Sequence, residues 1–252
     1  MKKSLSSTLA LAAMLAMTAC GMGDSSETAT AATIADNLSS TEQTAPESID
    51  AQSEAGALNC TINGTIDHEN WDASQTAQVS FGRFPASFAE FQQAHKQLAA
   101  EPQGAVALQV MAFELYRRNP ADGEKALRLN NTEVNCNSTL TQLKEMMNTK
   151  DSFYARPYLA AALLKGSTPD NGYTPDEPYT VQMRVNPATK YQNSELLGGK
   201  VIYLQVDSKG WDTNWRGVEV VKPNGSNNYV VSNCPALYTQ CKKVQGTWTA
   251  PK

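Results

Sequence analysis

From Ala105 to Tyr116 the chain reads AVALQVMAFELY, with Gln109 and Glu114 as its only polar residues. On a 3.6-residue repeat those apolar side chains cover almost every face, and such a helix is stable only in the middle of a core, wrapped by other elements. Gly104 before it and Asn119-Pro120 after it act as breakers, because proline cannot continue a helix and biases the residue before it away from the α conformation. The expectation is a buried helix over 105–118 around which one domain is organised. Nothing in the stretch carries chemistry.

The first residues are an address. Lys2 and Lys3 form a positive start, Leu9 to Ala16 an apolar run, and Met17-Thr18-Ala19-Cys20 a small-residue junction, which is the layout of a secretory signal. The apolar run is too short to span a bilayer, which takes about 20 residues. With a cysteine at the junction, the signal resembles that of bacterial lipoproteins, with Met17 where that family usually has Leu. The resemblance implies cleavage after residue 19, acylation at Cys20 and attachment to a membrane. Gly21 follows the cysteine where a retained lipoprotein would have Asp, which implies the outer membrane in a cell with two.

Residues 20–58 shift to Ser, Thr, Ala and acid. Asp24, Glu27, Asp36, Glu42, Glu47, Asp50 and Glu54 are opposed by no Lys or Arg, and no aromatic residue occurs there. Such a stretch cannot bury enough apolar surface to offset its ordering entropy, so it is expected to be a disordered tether. Removing the two lysines of the signal and the seven acids of the tether from the net charge of -4 leaves +1 for residues 59–252. A nearly neutral domain with scattered cations has no electrostatic footprint for nucleic acid.

Beyond Cys20 the sequence has four cysteines, Cys60, Cys136, Cys234 and Cys241. An exported chain with an even remainder is expected to form disulfides, and four cysteines allow three pairings. Cys234 and Cys241 flank a short turn-rich loop, which favours a local bond and leaves Cys60 to pair with Cys136. The spacing has no CxxC, so no metal is expected.

The folded part divides into a helical portion, about 85–166, and a β-rich portion, about 179–245. Before the helices, TINGTI suggests a hairpin turning at Asn63-Gly64, and Asp67-His68-Glu69 reads as a solvated acidic loop. Ser87 with Glu90 forms a capping box opening a helix over 88–100, in which Phe88, Phe91, His95 and Leu98 share a stripe. His95 there reads as a packed histidine. Asn119, Pro120 and Asp122 open a helix to about Leu129. Asn137 and Ser138 cap another with Leu140, Leu143 and Met147 on one face, and Pro157 to Gly166 a further one. The Pro- and Gly-rich 165–179, with Tyr173 at its centre, is an ordered loop. Asp170, Asn171, Asp176 and Glu177 in it read as turn formers, since their spacing departs from a calcium loop. This loop, the preceding helices and SNCPALY resemble an uncharacterised domain family of exported bacterial proteins and lipoproteins. The resemblance covers most of the chain after Phe84 and implies no activity.

From Tyr179 the period becomes two. Tyr179, Val181, Met183 and Val185 alternate with Thr180, Gln182 and Arg184, and further strands fall at 201–206, 218–221 and 229–231. The fold class is therefore α+β, the helical part followed by an antiparallel sheet or a small barrel. NWRGVEVV followed by YVVSN resembles the last strands of an SH3-type barrel. Asn214 stands where that family's groove-lining Trp would be, Val231 replaces a Pro and Cys234 a Tyr, which removes the polyproline groove.

For function, the inventory lacks GxSxG, HExxH, a phosphate loop and GxGxxG. His68 and His95 are its only imidazoles. The chain is therefore expected to bind a protein or glycan partner of the envelope, without catalysis and without a cofactor. The alternatives are a structural envelope protein with no small ligand, or a carboxylate-dependent hydrolase. Trp211, Trp215 and Tyr173 are the expected binding residues, because aromatics in loops can stack on sugars or anchor a partner. Joint exposure of Trp211 and Trp215 is what would separate a binding module from a structural protein.

Overall fold

The structure, a computed structural model, describes residues 58–148 and 153–251. The predicted signal, Cys20 and the tether up to residue 57 lie outside the described residues. The fold is α+β. Strands β1 (Thr61–Gly64), β2 (Thr76–Phe81), β3 (Tyr179–Val185), β4 (Gln192–Ser194), β5 (Gly199–Asp207), β6 (Trp215–Val221) and β7 (Val230–Asn233) form one antiparallel sheet. Its order is β1-β2-β3-β5-β6-β7, with β4 paired to the start of β5 on the side that β3 occupies further along. The sheet is open, so the barrel alternative is not the one adopted. Helices α1 (Phe88–Leu98), α2 (Pro102–Arg118), α3 (Pro120–Asn130), α4 (Glu133–Asn148) and the single turn α5 (Leu159–Ala162) all fall between β2 and β3.

The central helix is where its sequence places it. Val106, Leu108, Val110, Met111, Phe113 and Leu115 of α2 are fully buried, each worth roughly 1.5–3 kcal/mol by removal from water. α2 begins earlier than expected, at Pro102, and Gly104 lies inside it. The glycine is there because a Cβ at that position would run into the Leu98 carbonyl at the end of α1. Ser87 caps α1 by accepting from Glu90 N at 3.3 Å. The reciprocal half of the box is different: Glu90 accepts from Ala86 N and is held by Arg83. Asn119 caps α3 as expected, accepting from Asp122 N.

Three local expectations are corrected. Asn63-Gly64 does not turn; residues 61–64 are one strand, paired in register with Ala77 to Ser80, and the connection is 65–75. α4 starts at Glu133, four residues before the predicted cap, because Thr132 N donates to Val231 O and pins the corner before it to β7. The helix expected to reach Gly166 stops after one turn, where the Ala162 carbonyl accepts from the Ser208 hydroxyl.

Alternation along the strands gives the sheet two faces. Val79 and Phe81 of β2, Val181 and Met183 of β3, Ile202, Leu204 and Val206 of β5, and Val218 and Val220 of β6 are buried against the helices. The other face carries Gln78, Gln182, Arg184, Tyr203, Gln205, Trp215, Gly217 and Glu219, each only partly buried or exposed.

Candidate functional site

Two of the three predicted binding aromatics are removed from the surface. Trp211 is 2% exposed, donates its indole N–H to Thr239 O at 2.6 Å and lies under Arg216. Tyr173 is fully buried, stacked on Tyr158 with ring centroids 4.8 Å apart, and its hydroxyl donates to Lys242 O at 2.8 Å. Burial pushes its phenol far above the ordinary range. Both rings are core because the segment after residue 238 folds back over them, a contact across 28 and 69 residues of sequence. Trp211 and Trp215 are therefore not exposed together, so the pair gives no support to a binding module, and any such reading must rest on other residues. Trp215 alone stays partly accessible, on the outer face of the sheet.

The predicted disulfides are absent: Cys60, Cys136, Cys234 and Cys241 are free thiols. The 3-10 turn Pro235–Leu237 sends Cys234 and Cys241 to different surroundings. Cys234 Sγ sits among Gln109, Asn135 and Thr139, whereas Cys241 Sγ lies by the Tyr173 hydroxyl. Burial raises both thiols, to about 11 and about 12.

His95 is buried beside Phe91, with Nε2 unpartnered and its pKa lowered by burial. His68 contacts Glu69, which pairs with Lys200 at the surface. In the proline-rich loop Asn171 accepts from Thr168 N and donates to Gly166 O, a turn-forming role. An aromatic pair that the sequence reading did not single out, Phe153 and Tyr154, is 61% and 59% exposed, edge to face at 4.9 Å, beside a hollow of about 400 Å³ with Met146 and Tyr238.

The outer face of the sheet holds the candidate site. Gly217 on β6 lies opposite Gln205 on β5, and Glu219 lies opposite Tyr203 and Asn233. A Cβ at Gly217 would meet nothing within 4 Å, so the missing side chain leaves a notch. The notch holds about 220 Å³, lined by Asn186, Tyr203, Glu219 and Asn233 and walled by Pro235 and Ala236. Asn233 Nδ2 donates to Glu219 Oε1 at 3.0 Å, which orients the carboxylate. Partial burial and the neighbouring Glu219 raise the Tyr203 phenol above its ordinary value, keeping it a neutral donor. On the other side of Gly217, Trp215 stands about 7 Å along the strand. The Arg184 guanidinium lies 4.0 Å from its ring centroid, and Nε donates to Gln205 Oε1 at 2.9 Å.

Asn186 just after β3, Tyr203 of β5, Glu219 of β6, Asn233 of β7 and the Pro235–Ala236 wall thus meet around one glycine, a combination of donors, an acceptor and apolar walls suited to holding a small polar group. The alternation of 179–185 already put Arg184 opposite the apolar residues, and that signal was in the sequence. Its neighbours Gln205, Gly217 and Glu219 were not, because they are adjacent only through strand register. Among the described residues no cluster of His, Cys, Asp and Glu is arranged to hold a metal ion.

Comparison with curated proteins and with solved structures finds no match. The sequence profile of a domain of unknown function, DUF6935, matches residues 83–245, which takes in all five helices and β3 to β7. By that match over well more than half of its length, the chain belongs to the DUF6935 family.

Proposed function

We propose that the protein is a lipid-anchored protein of the cell envelope, held by Cys20, whose domain is a non-catalytic binding module for a glycan or protein partner, and that the outer face of the sheet is the binding surface. The single observation that carries the reading is the notch at Gly217. It brings Glu219, Asn233, Tyr203 and Asn186 to one small hollow beside the Arg184–Trp215 stack. A merely structural role needs no such gap: any β-branched residue at 217 would fill the space and favour the strand. A glycine inside a strand is one of the positions at which a ligand or another backbone can approach closely.

The test is Gly217→Val. Because nothing lies within 4 Å of the added Cβ, the variant is expected to fold with an unchanged or slightly raised unfolding temperature. Its retention on peptidoglycan, on envelope polysaccharide and on an extract of envelope proteins is then compared with that of the unaltered chain. The expected result is a loss of about tenfold or more on at least one of them, since displacing a bound group forfeits about 1.4 kcal/mol or more. Equal retention of both proteins on all three would overturn the assignment of this face.

A further inference from the structure

We infer that the ligand of this face is an acidic saccharide, with a carboxylate on Arg184 and the hydroxyls of its ring in the Gly217 notch. The inference rests on the outer face being the binding surface, and adds the chemical class of what binds.

Arg184 is the starting point. Lys209, just past the end of β5, is compensated by Asp207 at 3.5 Å. Arg184 has no acid within ion-pair distance among the described residues, although it lies in a domain that supplies acids to most of its arginines. Two contacts fix it. The stack on Trp215 sets the plane of the guanidinium, and the bond from Nε to Gln205 sets its rotation. Among the described residues Nη1 and Nη2 have no hydrogen-bond partner. A guanidinium immobilised by stacking, with two donors unspent, is arranged for a planar bidentate acceptor.

The charge balance selects the acceptor. One arginine matches one negative charge, and the nearest acids facing the same surface are Asp207, already paired with Lys209, and Glu219, on the far side of Gly217. A phosphate dianion would be under-compensated by one cation and repelled by Glu219 about twice as strongly as a carboxylate monoanion, whose single charge Arg184 balances. Glu219 in turn accepts hydrogen bonds and does not give them, so what lies next to it must carry donors. Hydroxyls do. With Tyr203, Asn186 and Asn233 providing further partners and Pro235 and Ala236 an apolar wall, the notch fits a hydroxylated ring with one C–H face. Gln205 lies between Arg184 and Gly217 in the register, so the two backbones are about 10 Å apart, two strand spacings, and the guanidinium spans part of that gap by reaching over β5 to the Trp215 ring on the strand of Gly217. One acidic sugar unit, or two adjoining ones, would reach both.

The experiment is calorimetric titration of the full mature chain with a matched set of probes. These are a hexuronate trisaccharide, the neutral hexose trisaccharide of the same linkage, and a muramic-acid-containing disaccharide with its lactyl carboxylate free or amidated. At least one acidic member is expected to bind tenfold or more tighter than its neutral counterpart, the value of about one charge-assisted pair of hydrogen bonds, and the margin should shrink as salt is raised. Arg184→Gln should abolish the preference while leaving the neutral probe's affinity and the unfolding temperature unchanged. Arg184→Lys should recover only part of it, because an ammonium lacks the planar fork. Gly217→Val should weaken both members. Equal affinity for acidic and neutral probes, or a preference that survives Arg184→Gln, overturns the carboxylate assignment while the face itself stands. No binding of any probe overturns this inference. If Gly217→Val is then also indistinguishable on envelope extracts, the binding face falls with it.

Discussion

Burial opposes the protonation of His95. The residue is 7% exposed, packed on Phe91, with Nε2 unpartnered, and burial lowers its pKa in the folded chain. The unfolded chain therefore binds the proton more readily than the native one. As pH falls through the ordinary histidine value of about 6.5, stability should decline, and it should stop declining once the pH is below the lowered native value. Above about pH 6.5 this contribution vanishes. Urea midpoints measured at about pH 7.5 and about pH 5.5 should differ less for His95→Gln than for the unaltered protein. Equal pH slopes for the two would show that His95 titrates freely in the fold. The stripe of Phe88, Phe91, His95 and Leu98 announced this packed position in the sequence, because a helical face is a local property. The same reasoning placed Trp211 in a loop and so at the surface, and there it failed. The loop is real, but the partner of the indole is the Thr239 carbonyl, which no local pattern reveals.

At the scale of elements, the helix layer is fastened to the sheet by a buried amide cluster. Gln109 of α2 accepts through Oε1 from Asn130 Nδ2 at 3.1 Å and from Asn131 Nδ2 at 2.8 Å, and Nε2 donates to Cys234 Sγ just after β7. Asn135 of α4 donates to Asn131 Oδ1 and to the same sulfur. One polar residue on an otherwise apolar helix thus orients the α3–α4 corner, and Thr132 at that corner donates to Val231 of β7. Gln109→Leu removes the acceptor of two buried amides, which should cost about 2–3 kcal/mol or more. That is readable as a lower urea midpoint with an unchanged slope. An unaltered midpoint would mean that the cluster is not a fastening. The elements themselves were legible where a period and a cap agreed, as for α1, α2, α3, β3 and β5. They were misjudged where tertiary hydrogen bonds moved an end, as at Glu133 and Ala162.

For the whole molecule, the decisive prediction concerns where it is held. Among the described residues no helix is long and apolar enough to cross a membrane; the proposed attachment is tested at the cysteine of the predicted signal junction. Cys20→Ser has no thiol to acylate. The variant is expected to leave the detergent-extracted membrane fraction and to lack the mass of a lipid on its N-terminal peptide, whereas the folded domain, with Cys60, Cys136, Cys234 and Cys241 untouched, should unfold at the same temperature. A lipid still present on the variant by mass spectrometry would remove the anchor. Apolar periodicity, breakers and caps act between residues three or four apart, and from these the sequence by itself determined the buried central helix, the strands at Tyr179–Val185 and Gly199–Asp207, the change of texture between them and so the α+β class. The tertiary structure alone decided that Thr61–Gly64 and Thr76–Phe81 complete the sheet, that it stays open, that the cysteines face amides and a phenol instead of one another, and that Arg184, Gln205, Gly217 and Glu219 share one surface. Those outcomes are set by strand register and by the fold-back of the C-terminal segment, which join residues tens of positions apart through contacts that leave no periodic trace in the chain.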